Sequence, residues 1–139
     1  MVDTETLLNE LNENSLYRTL GIRVEAASDG KARSRLIPPE EICWPFSGQP
    51  HGGILFTFMD TTMAWSVLSR LDSGYNCTTV NLNIHYTHPA KGQEFTCSAW
   101  TTYQTGRTCF VRADIHDSQE TLLAMGQATF RIIQMTLTP

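Results

Sequence analysis

The chain has 139 residues, 41% of them hydrophobic, and a formal net charge of -4 with a pI near 5.5. That suffices for one sizeable core and is too short for two domains of ordinary size, so a single domain over residues 1–139 is expected. The acidic balance argues against nucleic acid as a general partner, because phosphate binding needs clustered positive charge. No apolar run approaches the roughly 20 residues of a membrane span, and the opening MVDTETLLNELNE lacks the basic start and apolar centre of a signal peptide. No membrane association and a cytoplasmic location are therefore expected. Cys43, Cys77, Cys97 and Cys109 form no C-x-x-C pair, which predicts buried reduced thiols rather than a zinc or redox site.

In chain order, leucines at 7, 8, 11, 16 and 20, with Ser15 as N-cap and Gly21 as stop, predict one or two short helices. Residues 22–37 alternate apolar and polar on both sides of Asp29-Gly30, with Ile22, Val24 and Ala26 on one face, and predict a hairpin closed by Pro38-Pro39. A loop from Cys43 to Pro50 follows. The apolar run from Gly53 to about Leu71 is too long for a strand and predicts a helix, buried because it is apolar almost all round. After the turn at Asp72-Ser73-Gly74, period-2 patterns in CTTVNLNIHYT, EFTCSAWTTY, RTCFVRADIHD and TLLAMGQATFRII predict four strands, the first with Val80, Leu82, Ile84 and Tyr86 on one face. The sum is an α+β fold, about six mostly antiparallel strands wrapped around one long central helix.

Between Ile42 and Ser69 the only formal charge is Asp60, in the middle of that helix. At 3.6 residues per turn it shares a stripe with Gly53, Phe56, Thr57, Met63, Ala64 and Val67, none able to pair with a carboxylate. Burial there costs several kcal/mol unless a hydrogen bond compensates. A nucleophile or general base is the functional reading, since a desolvated carboxylate is more basic and more nucleophilic than one in water. A bond to a neighbouring strand or a local kink is the structural one. Phe56 and Met63, on the same stripe, are better candidates to line an apolar pocket beside it than Trp44, Phe46, Phe58 or Trp65.

At the start of the helix, His51-Gly52-Gly53 exposes backbone N–H groups within the positive end of the helix dipole, where an oxyanion would be stabilised. Gly52 and Asp60 are eight residues apart, about 12 Å along the axis. One helix cannot place both on one carbonyl. Joint action requires a second, antiparallel copy of the helix, hence a twofold dimer with composite sites. His85 and His88, three apart on a strand, face opposite ways, so no metal site is expected.

The stretches LYRTLGIRVE, HGGILFTFMD, TTVNLNIHYTHPAKG, TGRTCFVRADIHD and LLAMGQATFRI resemble those of the hotdog-fold acyl-CoA thioesterases, in the branch of the phenylacetate-pathway and human thioesterase-superfamily enzymes. The resemblance implies a helix wrapped by a curved antiparallel sheet, dimers with a continuous sheet, and commonly a dimer of dimers. It implies an acyl-CoA substrate and no separate cofactor. The Gly52 N–H, with Gly53, would polarise the thioester carbonyl, and Asp60 of the partner copy would attack it or activate water. Thr79 would orient water or the carboxylate, and His51 would bond the loop or substrate. Gly106, Arg107 and Thr108, with Lys91, would lie near the pantetheine or phosphates of CoA.

One position departs from the family. Many members carry Asn or Gln seven residues before the first helix glycine; here it is Pro45, and Gln49 is the nearest amide. Two other functions compete with hydrolysis. A hotdog protein that binds acyl-CoA without turnover is favoured by the missing amide and disfavoured by the retained acid. FSGQP at 46–50 is similar to the F-P-G-x-P stretch of hydroxyacyl thioester dehydratases, whose preceding catalytic histidine is here Pro45.

Overall fold

Six strands form in the computed structural model, which describes residues 4–135. Two short helices, α1 (Thr4–Asn12) and α2 (Ser15–Leu20), precede the hairpin β1 (Ile22–Ser28) and β2 (Lys31–Leu36). A 3-10 turn (Glu40–Ile42) and a loop lead to α3 (Gly52–Leu68), and β3 (Tyr75–Tyr86), β4 (Phe95–Thr105), β5 (Thr108–Asp117) and β6 (Leu122–Gln134) follow. The sheet order is β1-β2-β4-β5-β6-β3, every pair antiparallel. This is the expected α+β arrangement. The single-domain expectation also covers residues 1–3 and 136–139, which lie outside the described residues.

The strands curve around α3, and Phe58, Met59 and Met63 of the helix meet Leu36, Phe95, Val111, Ile115, Leu123 and Phe130 of the sheet. Each such side chain contributes about 1.5–3 kcal/mol by burial. The sheet-facing side of α3 also carries a ladder of hydroxyls. Thr62 donates to Phe58 O at 2.8 Å and pairs with the Ser34 hydroxyl, while Ser66 donates to Met63 O at 2.7 Å. Ser69 donates to Ser66 O and accepts from Gly30 N, each at 2.8 Å. These bonds satisfy polar groups that burial would otherwise penalise. Burial pushes the nearby Cys97 thiol up to about 12, so it stays protonated and inert at neutral pH.

Several local expectations are corrected. Asn14, not Ser15, caps α2: its side chain accepts from Leu16 N, and Ser15 is already helical. Helix α3 starts one residue earlier and ends three earlier than expected, its final turn closed by the Ser69 hydroxyl. Nor is it buried all round within the protomer: Phe56 is 38% exposed, and Gly53, Thr57 and Asp60 share its open flank. The sheet has four register shifts among the described residues, and two of them break the alternation expected on β1 and β3. One between Val24 and Ala26 turns Ala26 outward, and one between Thr79 and Asn81 leaves Val80 62% exposed.

The second bulge decides which side chains of β3 reach the helix. Thr79 and Tyr86 differ by an odd number of residues and would face opposite ways on an unbroken strand. With Val80 as the extra residue, both face α3.

The two sheet edges differ. On β1, the Asn12 side chain accepts from Val24 N at 2.8 Å and donates to Val24 O at 2.9 Å, mimicking a strand partner. On β3, no described residue pairs with the outer edge. Where α3 crosses β6, a Cβ on Gly126 would overlap Met59 Sδ and come within 2.9 Å of Asn83 O. Gly126→Ala is therefore expected to destabilise the fold by about 1–3 kcal/mol through overpacking, read as a drop of several degrees in Tm.

Candidate active site

His51 precedes α3 with extended backbone angles (φ -57°, ψ 142°) and caps it: Gly53 N donates to His51 Nδ1 at 2.8 Å. Ile54 N donates to His51 O at 2.9 Å. A neutral imidazole that accepts at Nδ1 carries its proton on Nε2, so the cap selects the tautomer. The same cap explains the glycine at 53, because a Cβ there would lie 2.9 Å from His51 Nδ1.

Of the first N–H groups of α3, Gly53 is thus occupied by the imidazole and Ile54 by the His51 carbonyl. The Gly52 N–H has no acceptor among the described residues. Both glycines were candidate donors on sequence grounds, and the geometry leaves Gly52 as the available one. Its position at the positive end of the helix suits a developing negative charge.

The loop before the helix is tied across itself. Cys43 and Pro50 form an isolated bridge, Trp44 N donates to Gln49 O at 2.8 Å, and Gly48 N donates to Trp44 O at 2.7 Å. The Trp44 ring lies 5.7 Å from Phe46 and 5.6 Å from His51, and Phe46 is 84% exposed. Gln49 uses its backbone within this loop, and its side-chain amide makes no hydrogen bond among the described residues. Pro45, at the turn, offers neither a donor nor a base.

Two turns further along α3, Asp60 is half-buried, and its Oδ1 accepts from Thr79 Oγ1 at 2.7 Å. No cation pairs with it among the described residues. One carboxylate oxygen is thereby fixed by a neutral donor from β3, and Oδ2 has no hydrogen-bond partner among the described residues.

The remaining expected residues separate. Phe56 lies on the open flank of α3, whereas Met63 is 0% exposed and belongs to the core, because the sheet closes over that flank beyond Asp60. Lys91 precedes β4, and the Gly106-Arg107-Thr108 turn follows it. At about 3.3 Å per residue the 11 residues of β4 set them at opposite ends of the protomer, on the order of 35 Å apart. Lys91 shares the end of β3 that carries Tyr86, and the 106–108 turn shares the end beyond Thr79.

Tyr86 is a site neighbour that the sequence pattern does not single out. As the last residue of β3, it donates its hydroxyl to Gly52 O at 2.6 Å. Helix α3 therefore runs antiparallel to β3, with Gly52 beside Tyr86, Asp60 beside Thr79 and Ala64 O accepting from Cys77 Sγ.

Residues 48–124, more than half of the chain, match the thioesterase superfamily. The chain belongs to that superfamily. A protein of Halobacterium salinarum, provisionally named an esterase, is 32% identical over 135 residues, covering 89% of this chain and 88% of that protein. Among solved structures, a conserved protein from Pseudomonas aeruginosa superposes with a TM-score of 0.81 at 26% identity, covering 89% of this chain and 98% of its own. The PaaI protein of the Escherichia coli phenylacetic acid degradation operon does so with a TM-score of 0.82 at 20% identity, covering 96% and 95%. Membership of the thioesterase superfamily places the chain among hotdog-fold hydrolases, with α3 as the central helix of the fold.

The His51 cap generates a prediction in which two effects oppose. Gly53→Ala gains up to about 1 kcal/mol of helix propensity and loses a cap worth about 0.5–2 kcal/mol. Tm is expected to stay within a few degrees of wild type, while nitrogen NMR of His51 shows the Nε2–H tautomer losing its dominance.

Proposed function

We propose that the protein hydrolyses an acyl-CoA thioester to the free acid and CoA, in sites that each combine Asp60 of one protomer with the Gly52 N–H of its partner. The carrying observation is the Asp60–Thr79 bond on the open flank of α3, which holds one carboxylate oxygen and leaves the other free. Superfamily membership supports the reaction class.

Geometry supports a composite site. Gly52 and Asp60 are about 12 Å apart on one helix, beyond the reach of one carbonyl group. The outer edge of β3 is unpaired among the described residues, and α3 runs alongside it. A twofold pairing of β3 with its copy would reverse the neighbouring helix and bring the Gly52 end of one against the Asp60 end of the other. It would likewise bring Lys91 of one protomer towards the 106–108 turn of the other, so that residues about 35 Å apart in one chain could face the same CoA. Arg107 and Lys91 supply the positive charge that phosphates require.

In this reading the thioester oxygen accepts from Gly52 N–H, and the helix dipole stabilises the charge that develops on it. Asp60 Oδ2 then attacks the carbonyl carbon, the C–S bond breaks with the electron pair leaving on sulfur, and water hydrolyses the resulting anhydride. Alternatively Oδ2 takes a proton from water, and the hydroxide attacks. Thr79 holds the carboxylate in either route. Acyl-CoA binding without turnover is the second reading, supported by Pro45 in place of the family's amide.

The test uses a panel of acyl-CoA thioesters assayed by free-thiol release. Asp60→Asn keeps an oxygen for Thr79 and is expected to lose about 10²–10⁴ in kcat. Gly52→Pro removes the N–H and adds a ring whose Cβ meets Tyr86 at ordinary contact distance, 3.4 Å, and proline suits the first helical position and the extended His51 before it; a loss of about 10²–10³ is expected. Refolding an equal mixture of the two inactive variants should restore about a quarter of wild-type activity, since half the dimers are mixed and each has one intact composite site. Absence of restoration would place each site within one protomer. Tight binding with no hydrolysis by wild type would select the second reading, and loss of water from a hydroxyacyl thioester would indicate a dehydratase.

A further inference from the structure

The Tyr86 hydroxyl donates to Gly52 O at 2.6 Å, and the ring lies against the Cα of Gly52, 3.4–3.7 Å from where a Cβ would stand. A carbonyl oxygen has two lone pairs, so this bond adds to the helical one without competing. Burial raises the phenol pKa, which keeps the hydroxyl protonated and able to donate.

The bond acts at a place that needs it. Two successive glycines open α3, and glycine has the greatest backbone freedom of any residue. The Ile54 N–H to His51 O bond holds the peptide that carries the Gly52 N–H from one side, and the glycine pair leaves its other side with wide φ and ψ freedom. The tether from β3 is an external restraint on it.

The bond also continues through the peptide. Gly52 O and Gly53 N–H belong to one amide plane, so donation to the oxygen polarises the N–H, and that N–H donates to His51 Nδ1 at 2.8 Å. Tyr86 O–H, the Gly52-Gly53 peptide and the His51 ring form a single chain of donors, each strengthening the next by on the order of 10–30%. Its far end is His51 Nε2–H, directed away from the cap.

We infer that Tyr86 is a positioning residue: its hydroxyl anchors Gly52, and with it the start of α3 that carries the Gly52 N–H, and through the Gly52-Gly53 peptide it biases the tautomer of His51. The inference rests on the thioesterase reading for its effect on rate, and on geometry alone for its effect on His51.

Tyr86→Phe keeps the ring and removes the donor. With an acyl-CoA that wild type hydrolyses, kcat should fall about 5- to 50-fold while KM changes less than about twofold, because orientation and not ground-state binding is lost. Nitrogen NMR should show His51 moving towards a mixture of tautomers, and the Gly53 amide proton should move upfield and exchange faster. Tm should change by only a few degrees, and Tyr86→Leu, which also loses the ring, should lower it further. A His51 tautomer and Gly53 amide unchanged in Tyr86→Phe would overturn the inference whatever the rate. Altered His51 with an unchanged kcat would overturn the catalytic part. If wild type hydrolyses no thioester, the function proposed above fails, and the NMR comparison still decides whether Tyr86 governs the cap.

Discussion

A carboxylate held by one hydroxyl, on a helix flank that its own sheet does not cover, is the constraint on which the rest of this structure depends. Asp60 has no cationic partner among the described residues, and Thr79 supplies its one hydrogen bond. A group placed this way is costly as architecture. The sheet covers the opposite face of the helix throughout, through Leu55, Phe58 and Met59, and closes over this flank only beyond Asp60, where Met63 and Val67 are buried. The opening that remains is bordered by Gly53, Phe56 and Thr57, all on the side of the helix start.

The helix start and the carboxylate are prepared by different means. Asp60 depends on tertiary contact with β3, whereas the Gly52 N–H is available because local bonds consume its neighbours: His51 takes the N–H of Gly53, and its carbonyl takes that of Ile54. A capping residue usually satisfies a helix end. Here the cap leaves the Gly52 N–H without an acceptor among the described residues, at the positive end of the helix dipole.

Much of this was legible in the sequence, for identifiable reasons. Strands announce themselves when one face is buried, as in Cys109, Val111, Ala113 and Ile115 of β5, which alternate with more exposed residues. Asp60 stood out because it is the lone charge in a long apolar segment. The two bulges were invisible, since an inserted residue such as Val80 is chemically ordinary and only pairing across to β6 shows that it is unmatched. Tyr86 was obscured with it: parity on a regular strand sets it opposite Thr79. The extent of the helix also escaped, because an apolar run does not say which part the protein itself will cover and which part awaits another surface.

The asymmetry between the sheet edges carries a consequence for assembly. Asn12 occupies the Val24 N–H and C=O at the β1 margin, while no described residue pairs with the outer edge of β3. A sheet with two available margins can add copies without limit and is exposed to fibrous growth. With one margin blocked, addition by a twofold uses up the vacancy on both participants at once, so the ribbon terminates after a single joining event. In such a pairing the Asn12 amide on the first helix would act as a chain stopper, keeping an exposed strand compatible with a finite particle.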